Sequence, residues 1–137
     1  MGRFLGIDHG NKRVGFALSD PLKVIAKPYK TITYSKSEEL VKVIQEIIGS
    51  ESVEQVVLGL PKGMQGQVTR QTKVVLDFAE KLRTHINIPV IMMDERLSSV
   101  SAEKALIQQN IKTGNNKDRI DETAAAIFLQ QYLEECR

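Results

Sequence analysis

Three acidic stretches dominate the chemistry that this sequence can support. Asp8 ends the apolar run "RFLGID", Asp94 and Glu95 sit in "MMDER", and Asp121 opens "DETAAA". Each of the first two follows a run that reads as a β-strand, and the third lies where a helix begins. If one sheet edge gathers them, their charges repel unless cations neutralise them, and oxygen donors of this hardness suit Mg²⁺ or Mn²⁺. Two such ions about 4 Å apart activate water and stabilise a leaving oxygen, the pattern of phosphodiester cleavage. Successive strand residues face opposite sides, so either Asp94 or Glu95 faces such a site, and the longer arm favours Glu95. Asp94 is then left to pair with a base such as Arg96.

Basic residues surround these acids in sequence. Lys12 and Arg13 follow Asp8 by four and five positions, where they suit contacts to a phosphate backbone. Lys62 lies in the "KGMQG" loop, whose backbone N–H groups are candidates for holding an anion ahead of a helix. Arg96, Lys117 and Arg119 flank the other two acidic stretches and complete the candidate nucleic-acid contacts. His9, beside Asp8, is open to three readings: metal ligand, proton carrier, or a turn residue packed next to the site. The last is the expected one.

The elements that must position these residues follow from hydrophobic periodicity and turn signals. Strands are expected over 3–8, 13–19 and 29–34, with "HGNK" as the first hairpin turn. A helix capped by Ser35 or Ser37 runs to about Ile48 and is ended by Gly49. A strand over 53–60, a helix near 68–84, a nearly continuous apolar strand over 88–94 and a helix near 99–109 come next. The polar, turn-rich "NIKTGNNKD" leads into a last helix from about residue 118 or 119 to 134. Three strands with short connections make an antiparallel meander, and two later strands reached through helices lie parallel to the first. The expected fold is α/β, a mixed five-stranded sheet flanked by helices in a single domain over 1–137. Ligands of such sheets bind beyond the carboxyl ends of the parallel strands, which is where Asp8 and the "DER" acids fall.

Composition narrows the class. The 137 residues are 42% hydrophobic and 26% charged, with a net charge of +2, as in an ordinary globular domain. No apolar stretch approaches the length of a membrane helix, and charges interrupt the first apolar run too early for a secretion signal. The single cysteine, Cys136, leaves no internal disulfide. A cytoplasmic protein with no membrane partner is expected. Charge is unevenly spread: residues 1–36 hold seven Lys/Arg against two Asp, and the remainder twelve basic against fifteen acidic. A basic first third on an otherwise near-neutral chain points to a polyanionic partner.

The segments "GIDHGNKRVGFALSDP", "VVLGLPKGMQG", "DERLSS" and "RIDETAAAIFLQQYL" together resemble the YqgF family, also called RuvX, in order and over essentially the whole chain. The resemblance implies an RNase H-like fold with strand order 3-2-1-4-5, related to the RuvC-type Holliday junction resolvases. It implies a metal-dependent nuclease using Mg²⁺ or Mn²⁺, acting at the 5′ end of pre-16S rRNA in ribosome biogenesis. By the same resemblance Asp8, Glu95 and Asp121 are the catalytic and metal-binding acids. RuvC-type enzymes carry a further acid at the end of the fourth strand, where this chain has Gly59-Leu60-Pro61. Two alternatives therefore stand beside the rRNA nuclease. One is a resolvase-like DNA endonuclease, acting on branched DNA as a homodimer; the other is a weakly catalytic nucleic-acid-binding factor. An rRNA processor needs no such symmetry, so monomer and homodimer both stand.

Overall fold

Leu5 and Ile7 alternate with Gly6 and Asp8 along the first strand, and this alternation divides the molecule into two packed layers. The computed structural model describes residues 2–10, 12–63, 65–94 and 117–136, the first five of the last segment as backbone. Strands β1 (Arg3–His9), β2 (Arg13–Ser19) and β3 (Ala26–Thr33) form the expected meander. Helix α1 (Ser37–Ser50), β4 (Val53–Leu60), α2 (Arg70–Arg83) and β5 (Val90–Asp94) follow, and α3 (Lys117–Glu135) ends the fold. The sheet order is β3-β2-β1-β4-β5, antiparallel from β1 to β3 and parallel from β1 to β5. Strand order and class agree with the sequence reading. The expected helix near 99–109, the polar segment after it, Glu95 and Arg96 lie outside the described residues.

Leu5, Ile7, Val14, Phe16, Val56 and Leu58 face α1 and α2, whose apolar stripes supply Leu40, Ile44, Val75, Phe78 and Leu82. Full burial of each such side chain stabilises by roughly 1.5–3 kcal/mol before entropy is counted. The opposite face is tiled with smaller residues: Ala17 and Val57 meet Ala124, Ala125, Phe128 and Leu129 of α3. Gly6 marks the closest approach. A Cβ built there would stand 3.0 Å from Leu129 Cβ and 3.1 Å from the Ala125 carbonyl, so the helix backbone can sit against β1 only because position 6 lacks a side chain.

Three boundaries differ from expectation for local reasons. β3 begins at Ala26 instead of 29 because Gln130 of α3 satisfies the strand's start, accepting from Ala26 N at 2.8 Å and donating to Val24 O at 3.0 Å. α1 starts without either serine as a side-chain cap: Lys36 holds the cap position, and Glu38 and Glu39 complement the helix dipole. The helix also passes through Gly49, and the Glu51 N–H closes it on Ile47 O. Helix α2 is tightly capped, with Thr69 and Thr72 exchanging side-chain and backbone hydrogen bonds.

Candidate active site

Asp8 is 8% exposed and stands near the carboxyl end of the central strand. Its cross-strand partner on β2 is Gly15, and Gly15 is in turn paired with Thr31 on β3. Paired residues share a sheet face, so Thr31, Gly15 and Asp8 form one row. Strand alternation places that row on the face of Gly6, under α3. Gly15 contributes no side chain beside Asp8 in this row.

Helix α3 runs antiparallel to β1. Its Tyr132 ring lies 5.9 Å from Phe4, and Ala125 and Leu129 lie against Gly6, so its amino end approaches Asp8. Asp121 opens the second turn, one helical turn before Ala125. The next residue, Glu122, reaches the row directly: the Thr31 hydroxyl donates to its Oε2 at 3.2 Å. Sequence reasoning missed Glu122. Its signal was the pair of adjacent acids in "DET", of which only the first was singled out.

Asp94 is placed elsewhere. It pairs with Leu60, whose side chain belongs to the α1/α2 core, so Asp94 shares that face and not the face of Asp8. Its carboxylate lies 3.8 Å from Lys62 Nζ, a base of the kind the sequence reading expected beside it, while Arg96 lies outside the described residues.

His9 also leaves the site. It stacks on Phe78 of α2 with ring centroids 4.7 Å apart, on the opposite face from Asp8. The Tyr34 hydroxyl donates to Gly10 O at 2.7 Å and is 3.2 Å from His9 Nε2. With its proton committed to Gly10, Tyr34 must accept from Nε2–H, which leaves buried Nδ1 without a partner. Burial holds this imidazole below its ordinary pKa. It is a packing residue that fixes the hairpin turn, not a metal ligand on the Asp8 face.

Arg13 pairs with Thr33 and sits two residues from Gly15 on β2, which places it on the Asp8 face at the rim. Lys12 is exposed at the turn. The loop after β4 does not offer its N–H groups to an anion. Gly63 N donates to Gln67 O, Gly66 N to Gly63 O, and Gln65 N to the Gln67 side chain. Thr72 Oγ1 ties the same loop down by donating to Pro61 O. Lys117 and Arg119 lie in the first turn of α3, just ahead of Asp121.

Among the described residues, no group of three or more His, Cys, Asp or Glu is gathered as a metal site. The described donors on the Asp8 side are Asp8 and Glu122, both carboxylates. Hard oxygen donors of this kind fit a divalent cation such as Mg²⁺ or Mn²⁺. No helix among the described residues is long and apolar enough to cross a membrane.

A mixed 3-2-1-4-5 sheet with an acid at the end of its central strand and a terminal helix over the same face is the architecture of the RNase H-like nucleases and resolvases. Comparison with solved structures agrees on the fold. Thermus thermophilus RuvC in complex with a Holliday junction superposes with a TM-score of 0.58 at 16% identity, covering 99% of this chain and 96% of that one. The fowlpox virus resolvase with its Holliday junction DNA gives 0.54 at 14%, covering 98% of each. The model of the RuvX family, described as "Holliday junction resolvase", matches residues 2–135, and the chain belongs to that family. Relatives named "Putative pre-16S rRNA nuclease" include those of Caldanaerobacter subterraneus subsp. tengcongensis and Desulforamulus reducens. The first is 45% identical over 133 residues and the second 43% over 132, each covering 96% of both chains.

Proposed function

We propose that this chain is a divalent-metal-dependent nuclease that hydrolyses phosphodiester bonds at the 5′ end of pre-16S rRNA, in the cytoplasm, during ribosome biogenesis. The observation that carries the reading is the buried Asp8 carboxylate near the end of the central strand, paired with Gly15 and approached by the acidic amino-terminal part of α3. Family membership and the names of the relatives support the same chemistry.

In this reading Asp8, Glu95 and Asp121 hold Mg²⁺ or Mn²⁺, with Glu122 beside them. When bound, such ions supply an activated water and charge stabilisation for the leaving oxygen. The chain's own contribution is placement. Gly6 and the alanines of α3 let the helix close on the strand, Thr31 steadies Glu122, and α3 shields the carboxylate from bulk water. Arg13 and Lys12 on the rim, with Lys62, Arg96, Lys117 and Arg119, hold the substrate's phosphates, which positions it without reading sequence. A monomer suffices for this task.

The resolvase-like alternative is favoured by one observation, the fold shared with two enzymes solved on Holliday junctions; it calls for a homodimer matched to a symmetric junction. Cleavage of labelled pre-16S rRNA and of a four-way DNA junction, each with Mg²⁺, Mn²⁺ or EDTA, separates the two. Metal-dependent cut RNA that disappears in Asp8→Asn supports the proposal. Paired cuts in the junction alone would transfer the function to DNA, and no cutting of either would leave a binding factor.

A further inference from the structure

A second pocket lies away from Asp8, on the other face of the sheet. It measures about 360 Å³ and is lined by Arg3, Leu18, Ile25, Lys27, Pro28 and Tyr29. Arg3 begins β1, five residues before Asp8, so strand rise alone puts the two about 17 Å apart. Leu18 pairs with Leu5 and Lys27 with Leu18, which assigns the pocket to the α1/α2 face.

The wall of this pocket is shaped by an irregularity. Pairing of β2 with β3 shifts between Phe16 and Ala17: Lys30 opposes Phe16, Pro28 opposes Ala17, and Tyr29 has no partner. An extra residue of this kind bends an edge strand and re-aims a side chain. Tyr29 is consequently 37% exposed on the sheet's edge, with Lys30 Nζ 5.4 Å from its ring centroid.

The charges around it are sorted. Lys23 is committed to Glu54 and lies over Phe4. Arg3 donates to Ser19 O at 3.1 Å, and Asp20 accepts from Val24 N and Ile25 N at 2.7 and 2.9 Å. Lys27 and Lys30 form no ion pair among the described residues. The lining then offers a part-exposed aromatic ring under the Lys30 ammonium, an apolar floor of Leu18 and Ile25, the Asp20 carboxylate already bonded to its own turn, and two cations three residues apart on an edge strand.

We propose that this pocket and the β3 edge form an exosite for single-stranded RNA, one base stacking on Tyr29 while Lys27 and Lys30 hold the flanking phosphates. Stacking platforms beside cationic tracks are how single strands are held without sequence preference, and the volume falls within the range of small-ligand pockets. The exosite accounts for the basic first third of the chain beyond Lys12 and Arg13. It rests on the nuclease reading in that the occupant is the single-stranded flank of the substrate, anchored away from the cutting centre.

The test uses the full chain carrying Asp8→Asn, so that binding is read without cleavage. The probes are an RNA hairpin with and without a twelve-nucleotide single-stranded extension. The extension should strengthen binding, and adding Tyr29→Ala should reduce that gain by about ten-fold, whereas Tyr29→Phe keeps it. Lys27→Ala with Lys30→Ala should lower the slope of log affinity against log salt by about 1.4 on the extended probe. An unchanged gain in Tyr29→Ala overturns the exosite. So does self-association of the protein that Tyr29→Ala abolishes while RNA binding stays intact, since the surface would then belong to a second copy. A wild type that cuts nothing but shows the extension gain removes the nuclease reading and leaves the exosite standing; a cutting wild type whose gain survives Tyr29→Ala does the reverse.

Discussion

Thr31 on the edge strand donates its hydroxyl to the Glu122 carboxylate in the second turn of α3. The bond spans 91 residues of sequence and ties the edge strand to the helix that covers the Asp8 face. Loss of that hydroxyl should be felt more in rate than in stability. Thr31→Val is expected to destabilise by about 1 kcal/mol. It should slow cleavage about ten-fold, because small misplacements of catalytic elements are expensive. Thr31→Ser should restore the rate. Single-turnover cleavage beside urea denaturation measures both.

Gly6→Ala tests how closely α3 must approach. The new methyl would meet helix backbone and the base of a side chain at about 3 Å, neither of which can swing aside. A destabilisation of about 1–3 kcal/mol is expected, together with reduced cleavage in protein that is still folded. Activity equal to wild type at full folding would show that the site tolerates a displaced helix.

The rim cations should report through salt. Lys12→Ala with Arg13→Ala is expected to weaken RNA binding and to flatten the log–log salt slope. Each phosphate that the protein no longer neutralises takes away about 0.7 on a single strand, or about 0.9 on B-form DNA. Fluorescence titrations at several salt concentrations give the slope. An identical slope in mutant and wild type would make the pair ordinary solvated charge.

Tyr34→Phe removes one hydroxyl and strands two groups, the Gly10 carbonyl and the His9 Nε2 proton. A cost of about 1–3 kcal/mol is expected from unsatisfied buried polar atoms. Chemical denaturation is the measurement, and a cost near zero would mean that water enters the hairpin turn freely.

Strand order, the parallel and antiparallel pairings and the place of Asp8 were all legible in the sequence. Each rests on periodicity or connection length, and both survive folding with little help from distant residues. The start of β3 was not legible, since it depends on Gln130, which lies 104 residues away from Ala26. Nor was Glu122, whose partner Thr31 is a neighbour only after the sheet forms. The choice against Asp94 was half visible. Alternation required that Asp94 and Glu95 diverge, but only the pairing of Asp94 with Leu60 shows which face Asp94 takes. The glycine loop after β4 misled because composition does not reveal that its N–H groups are bonded within the loop itself.

The two faces of the sheet differ in what holds them. Large aliphatic and aromatic side chains bind α1 and α2, whereas α3 is held largely through alanines, with Phe128, Leu129 and Leu133 as its main anchors. Alanine packing allows close approach but buries little area per residue, so the α3 layer is the weaker of the two. Asp8 belongs to the sheet, whereas Asp121 and Glu122 ride on the weaker layer. Warming or mild denaturant should therefore open this protein in stages, releasing α3 and silencing the enzyme while the sheet, α1 and α2 are still folded.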